Sequence, residues 1–248
     1  MTKYGIDVSQ WQGDINWGAV KTDFAILRAG YGRMASQIDP KFERNYNGAK
    51  AAGIPVGAYW YSYAMSADEA RVEAKVFIEA LKGKQFEYPV YFDVEEQKAL
   101  ALGRDRVSEI IIAFLDEMEN AGYFAGLYMS ASHLTNLTTQ YVKDRYAIWV
   151  AHYGVNKTTY TGQYGMWQYS STGQMDGING NVDMNECYVN YPAQIKADGR
   201  NGFTKQETKP EPKPEPQPVE PTPDEPKTID VEIVVDGVKY AGTLTEKK

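Results

Sequence analysis

The chain has one cysteine, Cys187, so no intramolecular disulfide can form and the fold does not depend on an oxidising compartment. Its only histidines are His133 and His152, and neither an HExxH nor a CxxC spacing occurs. This argues against a His-ligated metal site, and the sequence calls for no metal and no cofactor. No stretch approaches the roughly 20 apolar residues needed to span a bilayer, so no membrane insertion is expected. Positive charge is in deficit, with 26 Lys and Arg against 33 Asp and Glu for a net charge of −7. Phosphate binding needs a clustered basic surface, so nucleic acid is excluded as a partner.

What is present begins with aromatics. They make up 13% of the chain, including 19 Tyr and 5 Trp, which fits a packed core with rings to spare. Flat rings stack on sugar faces as on other apolar planes, so the excess is a weak pointer to carbohydrate. A length of 248 residues suits one large α/β barrel or two ordinary domains.

Composition divides the chain. Residues 204–227 alternate proline with charged residues and carry no large apolar side chain beyond Val219. Such a segment cannot bury a core and reads as an extended spacer, with a domain boundary near residue 203. Residues 228–248 show apolar alternation on both sides of Asp236-Gly237, the strongest short hairpin signal. An isolated hairpin is marginal in water. Either this one pairs with another copy of itself, with the preceding domain or with an outside component, or the segment is an unstructured tail. Self-association through the hairpin edges is one expectation.

Within residues 1–203, eight strand-like runs can be placed at 4–9, 24–31, 55–63, 89–95, 124–130, 147–153, 165–170 and 182–188. Amphipathic helical stretches lie between the early ones, most clearly 66–82 and 103–121. Strand starts at 24, 55, 89 and 124 are 31, 34 and 35 residues apart, the size of a βαβ unit. Later starts are 23, 18 and 17 apart, and the last gaps are too short for a crossover helix. The expected fold is therefore an α/β, TIM-like barrel of eight strands whose later units have lost their helices. Strand direction in that part stays open.

In YPVYFDVEE (88–96) the alternation puts Tyr91, Asp93 and Glu95 on one face and Val90, Phe92 and Val94 on the other. The apolar set packs outward on helices, so the two acids point inward at a strand end, where β/α barrels place catalytic groups. Two such carboxylates repel each other and resist desolvation, so one should hold its proton near neutral pH. Glycoside hydrolysis asks for this: one acid to protonate the leaving oxygen and one carboxylate to meet the positive charge on the sugar. A solvated strand end is the plainer alternative. Asp7 in YGIDVSQWQG (4–13) and Asp183 in GNVDMNECY (180–188) repeat the pattern, so three strands each deliver an acid inward.

The GIDVSQWQG opening with INW after it, the PVYFDVE strand, the IWVAHY and WQYSSTG segments and the closing VDMN together resemble glycoside hydrolase family 25, the Chalaropsis-type lysozymes. The likeness runs from about residue 4 to 191. It implies a modified barrel of five β/α units followed by three β strands. It also implies a muramidase that hydrolyses the β-1,4 bond between N-acetylmuramic acid and N-acetylglucosamine of bacterial peptidoglycan, with retention. Carried onto this chain, Glu95 is the general acid and later base, and Asp93 assists the substrate's own 2-acetamido group. Asp7 and Asp183 complete the acidic floor and tune Glu95.

Tyr61, Tyr63, Tyr128 and Trp149, near the expected strand ends, are candidates for the sugar-lining groove, with Gln168 as a polar partner; plain barrel core is the alternative for each. Trp167 and Tyr169 alternate with Gln168, so only one set can face the groove. A non-catalytic carbohydrate-binding barrel and a chitinase-like hydrolase are the competing functions. The opening Met1-Thr2-Lys3 lacks a basic n-region and a long apolar h-region. With the spacer and small terminal module, the chain looks like a phage endolysin, made in the bacterial cytoplasm and reaching the wall by holin-type release. A secreted enzyme without its leader would read alike.

Overall fold

The computed structural model describes residues 1–205 and 228–245. It divides into two compact units, Met1–Gln206 and Glu207–Lys248. The spacer expected at 204–227 lies, beyond its first two residues, outside the described residues.

Unit one is a closed barrel of eight strands: β1 (Lys3–Val8), β2 (Phe24–Tyr31), β3 (Val56–Tyr61), β4 (Val90–Asp93), β5 (Ala125–Ser130), β6 (Ala147–Ala151), β7 (Met166–Gly173) and β8 (Val182–Cys187). All eight expected runs are strands. The first seven are parallel to their neighbours, whereas β8 runs antiparallel to both β7 and β1 and closes the seam. Helices α1 (Phe42–Ala51), α2 (Ala67–Leu81), α3 (Gln97–Leu100), α4 (Arg104–Asn120), α5 (Ala131–Leu137) and α6 (Gln140–Arg145) fill the connections from β2 to β6. The first of the five expected units carries only a 3-10 turn, Gln10–Gln12, in place of an α-helix.

The two faces of each strand bury against different things, as the period of two requires. Val90 and Phe92 of β4 face outward, and Phe92 stacks on Phe114 of α4 at 3.8 Å. Tyr91 points into the barrel against Trp149 at 5.1 Å. The Tyr91 ring fits because position 126 is glycine: a Cβ there would stand 2.5 Å from it. Helix α2 starts where Ser66 accepts the Glu69 N–H, with Asp68 and Glu69 in the positive first turn. Its apolar face, Ala70, Ala74, Phe77 and Leu81, packs on the barrel.

The sequence pattern did not single out α7 (Tyr191–Asp198), a short helix whose Pro192 sits in the first turn and whose end is set by Gly199 at φ 65°. Its Tyr191 packs edge-on against Tyr88 and Phe124, at the N-terminal ends of β4 and β5, and plugs that end of the barrel. Asn201 clamps the same end. Its Nδ2 donates to the carbonyls of Phe86 and Tyr88 at 3.1 and 2.9 Å, and its Oδ1 accepts the Phe124 N–H at 2.7 Å. With one end sealed by packing, a ligand has the other.

Unit two is a hairpin of β9 (Thr228–Val235) and β10 (Val238–Thr245), as expected. Asp236 and Gly237 both take positive φ, 52° and 82°, the geometry of the two-residue turn that Asp-Gly favours. Among the described residues no helix is long and apolar enough to cross a membrane.

Candidate active site

The open end of the barrel holds a pocket of about 180 Å³ lined by Asp7, Tyr59, Asp93, Glu95, Tyr128, Trp149, Tyr153, Gln168 and Asp183. Four carboxylates meet there from three strands. Asp7 and Asp93 stand near the C-terminal ends of β1 and β4, and Glu95 lies two residues past the end of β4. Because β8 is antiparallel, its beginning reaches the same end, and Asp183 pairs with Asp7 across the seam.

Asp7 is buried and held by amides. Its Oδ2 accepts from Gln168 Nε2 at 2.7 Å and from Asn185 Nδ2 at 2.8 Å. Gln168 is oriented in turn, since its Oε1 accepts the hydroxyls of Tyr128 at 2.6 Å and Tyr153 at 2.5 Å. Asn185 accepts the Trp149 indole N–H at 2.8 Å. Every member of this network therefore has its direction set by its neighbour, which makes the floor of the pocket rigid. Asp93 is different: buried as deeply, its Oδ1 has no hydrogen-bond partner. An orphan acceptor of this kind is costly unless something supplies a donor.

Burial raises all four acids, and like charge adds to it at three of them. Desolvation pushes Asp7 and Asp93 well above the usual carboxylate range. Asp183 adds to the rise at Asp7, where the two amides oppose it, and Glu95 and Asp7 add to it at Asp93, where Arg28 opposes it. Glu95 is raised by burial and then by Asp183, and burial brings Asp183 to about 6. Arg28 continues the inward alternation of Phe24 and Ile26 on β2 and is paired with buried Asp39 at 2.7 Å.

Of the nine site candidates taken from the sequence, seven line this pocket: Asp7, Asp93, Glu95, Asp183, Tyr128, Trp149 and Gln168. Tyr61 and Tyr63 do not. Strand β3 ends at Tyr61, so Tyr63 falls on the following loop, 45% exposed, where it packs on Tyr61 at 5.1 Å and Tyr31 at 6.0 Å. The three tyrosines form a cluster at the open end, beside the pocket. Trp11, on the turn after β1, is 76% exposed at the same end. Of the Trp167, Gln168 and Tyr169 alternation, Gln168 faces the pocket and Trp167 belongs to the outer core.

Sequence reasoning passed over Tyr59, Tyr153 and Asn185. The signal for each was the phase of a residue already chosen: Tyr59 shares a face with Tyr61, Tyr153 continues Trp149 and Ala151, and Asn185 follows Asp183 by two.

A family model described as glycosyl hydrolases family 25 matches residues 6–178. The uncharacterized protein YegX of Escherichia coli K12 is 35% identical over 198 residues, 74% of this chain and 69% of its own length. Lysozyme M1 of Streptomyces globisporus is 31% identical over 199 residues, 73% of this chain and 66% of its own length. Among solved structures, the bacterial lysozyme from Streptomyces coelicolor is similar with a TM-score of 0.67 at 27% identity, covering 82% of this chain and 98% of that one.

Proposed function

The chain belongs to glycosyl hydrolase family 25, and on that premise we propose that it is a muramidase cutting the β-1,4 bond between N-acetylmuramic acid and N-acetylglucosamine in bacterial peptidoglycan. The observation that carries this is the junction of four carboxylates in one small aromatic-walled pocket, with unequal environments. Glu95 is half-buried and raised, at the mouth of the pocket. It is the general acid: protonated, it gives its proton to the glycosidic oxygen as the bond breaks, and as carboxylate it later takes one from water.

Asp93 serves the substrate's own 2-acetamido group. That group carries an N–H, and the buried, unpartnered Oδ1 of Asp93 is an acceptor without a donor. An N–H···Oδ1 bond would satisfy the aspartate and polarise the amide, so that the acetamido carbonyl oxygen attacks the anomeric carbon. The result is net retention with no protein nucleophile. Asp183 keeps the floor negative, which favours the oxocarbenium-like transition state and holds the proton on Glu95, and Asp7 anchors the amides of Gln168 and Asn185 beneath it. Tyr128 and Trp149 wall the sugar, and Tyr61 and Tyr63 extend the contact along the rim. The cell wall is the place of action in this reading.

The test is the release of reducing ends from purified peptidoglycan by the wild type and by Glu95→Gln, with mass spectrometry of the products. New reducing-end N-acetylmuramic acid, lost almost entirely in the variant, supports the assignment. Binding of glycan without cleavage by the wild type would make the barrel a carbohydrate-binding module and withdraw the carboxylate roles. Cleavage leaving N-acetylglucosamine at the reducing end would change the bond specificity.

A further inference from the structure

The pairing register of the C-terminal hairpin sorts its side chains sharply. Val235 pairs with Val238, Ile233 with Tyr240, Val231 with Gly242 and Ile229 with Leu244. Alternation puts these eight on one face, which contains no polar residue except the tyrosine hydroxyl. The other face carries Asp230, Glu232, Lys239, Thr243 and both end threonines, with Val234 and Ala241 among them, and is tied by a Thr243 to Asp230 hydrogen bond at 2.7 Å and a Lys239–Glu232 ion pair at 2.7 Å. Six apolar-face side chains, Ile229, Ile233, Val235, Val238, Tyr240 and Leu244, are between 51% and 65% exposed. A two-stranded sheet so arranged has almost no core of its own and needs a cover.

We infer that the cover is the same face of a second copy of this chain, so that the hairpins stack in pairs and dimerise the protein. A wall polymer is a poor occupant, because sugars and phosphates need several hydrogen-bond partners or cations, and this face offers one hydroxyl, that of Tyr240, and no cation. The face is instead complementary to itself. Tyr240 is a knob and Gly242, two residues along the same strand, is a hole: a Cβ built at Gly242 meets nothing within 4 Å.

A two-fold axis across the strands midway between them sets each Tyr240 over the partner's Gly242. It also places Ile233 over Val231, Ile229 over Val235 and Val238 over Leu244. Such an isologous contact, each residue meeting its counterpart twice, is the usual form of a homodimer interface. Each face offers on the order of 600 Å² of apolar surface, and a pair reaches the lower end of specific interfaces. This arrangement covers the apolar face, whereas the edge-to-edge association also expected from the sequence would leave it exposed.

Gly242→Val separates this from its alternatives. In a lone hairpin the valine enters open space and raises strand propensity, so the hairpin persists. In the stacked pair it fills the hole that receives Tyr240. The experiment is sedimentation equilibrium of the full chain, the Gly242→Val chain and the Tyr240→Ala chain over a range of concentrations, with amide exchange of residues 228–245 followed in each.

The expected result is a wild-type dimer whose hairpin protection falls on dilution, and association weakened at least about tenfold by either substitution. A wild type that is monomeric at all concentrations overturns the proposal, whether its hairpin is protected or not. So does a dimer that Gly242→Val leaves intact. Turnover of soluble glycan fragments is not part of the readout, so failure here leaves the muramidase reading standing.

Discussion

Asp183→Asn should stabilise the barrel at neutral pH while leaving it unchanged in acid. Burial raises the Asp183 carboxyl from 3.8 to about 6. An acid whose folded pKa lies above its unfolded value contributes stability that is fully present below the unfolded pKa and is lost as pH rises through the folded one. The window is therefore about pH 4 to 6, and above it the folded protein holds an unwelcome charge. At about 1.36 kcal/mol per unit the shift corresponds to ~3 kcal/mol. The carboxylate is only partly buried, so roughly half of that, ~1.5 kcal/mol, is the expected gain on replacing it with an isosteric amide. For a domain of this size that is a rise in Tm of about 3–6 °C. Calorimetry at pH 4 and pH 8 measures it. A gain of the same size at both pH values, or a loss at pH 8, would refute the argument that burial of the Asp183 charge strains the site.

The same substitution should move the alkaline limb of the activity profile to lower pH, because Asp183 is one of the two causes that raise Glu95 and removing its charge lets Glu95 lose its proton sooner; kcat/KM against pH for both proteins is the check. Asn185→Ala strips one donor from Asp7 and the acceptor from the buried Trp149 indole. It should cost about 3 kcal/mol in urea unfolding and lower kcat, and an Asp variant that restores activity would argue against the donor role. Tyr63→Ala should raise KM about fivefold through loss of ~1 kcal/mol of stacking, with kcat little changed. A Tm shift would be small because Tyr63 is 45% exposed, and an unchanged KM removes Tyr63 from the sugar path.

Much of this molecule is written locally. The eight strands, α2, α4 and the Asp236-Gly237 turn were legible because period, capping and turn chemistry act over a few residues. The inward phase of Asp7, Asp93 and Asp183 followed from alternation, and their grouping followed from the barrel. The amino-acid order also determined that Glu95 and Asp93 share a face two residues apart, so their mutual repulsion was foreseeable. The exposed position of Tyr63 was not, because where β3 stops depends on the loop that α2 draws away from it.

Tertiary structure alone decided the rest. Strand β8 runs antiparallel to both β7 and β1, and only that reversal brings Asp183 opposite Asp7, 176 residues away in the chain. The orientations of Gln168 and Asn185 are fixed by tyrosine and tryptophan donors from β5, β6 and the loop beyond β6, partners no local pattern names. Helix α7 is short and weakly patterned, and it forms where the N-terminal end of the barrel must be filled, opposite the pocket. Sequence patterns prescribe what each segment can bury. Which carboxylates crowd together, and hence how their protons are held, depends on the distances that closing the barrel imposes.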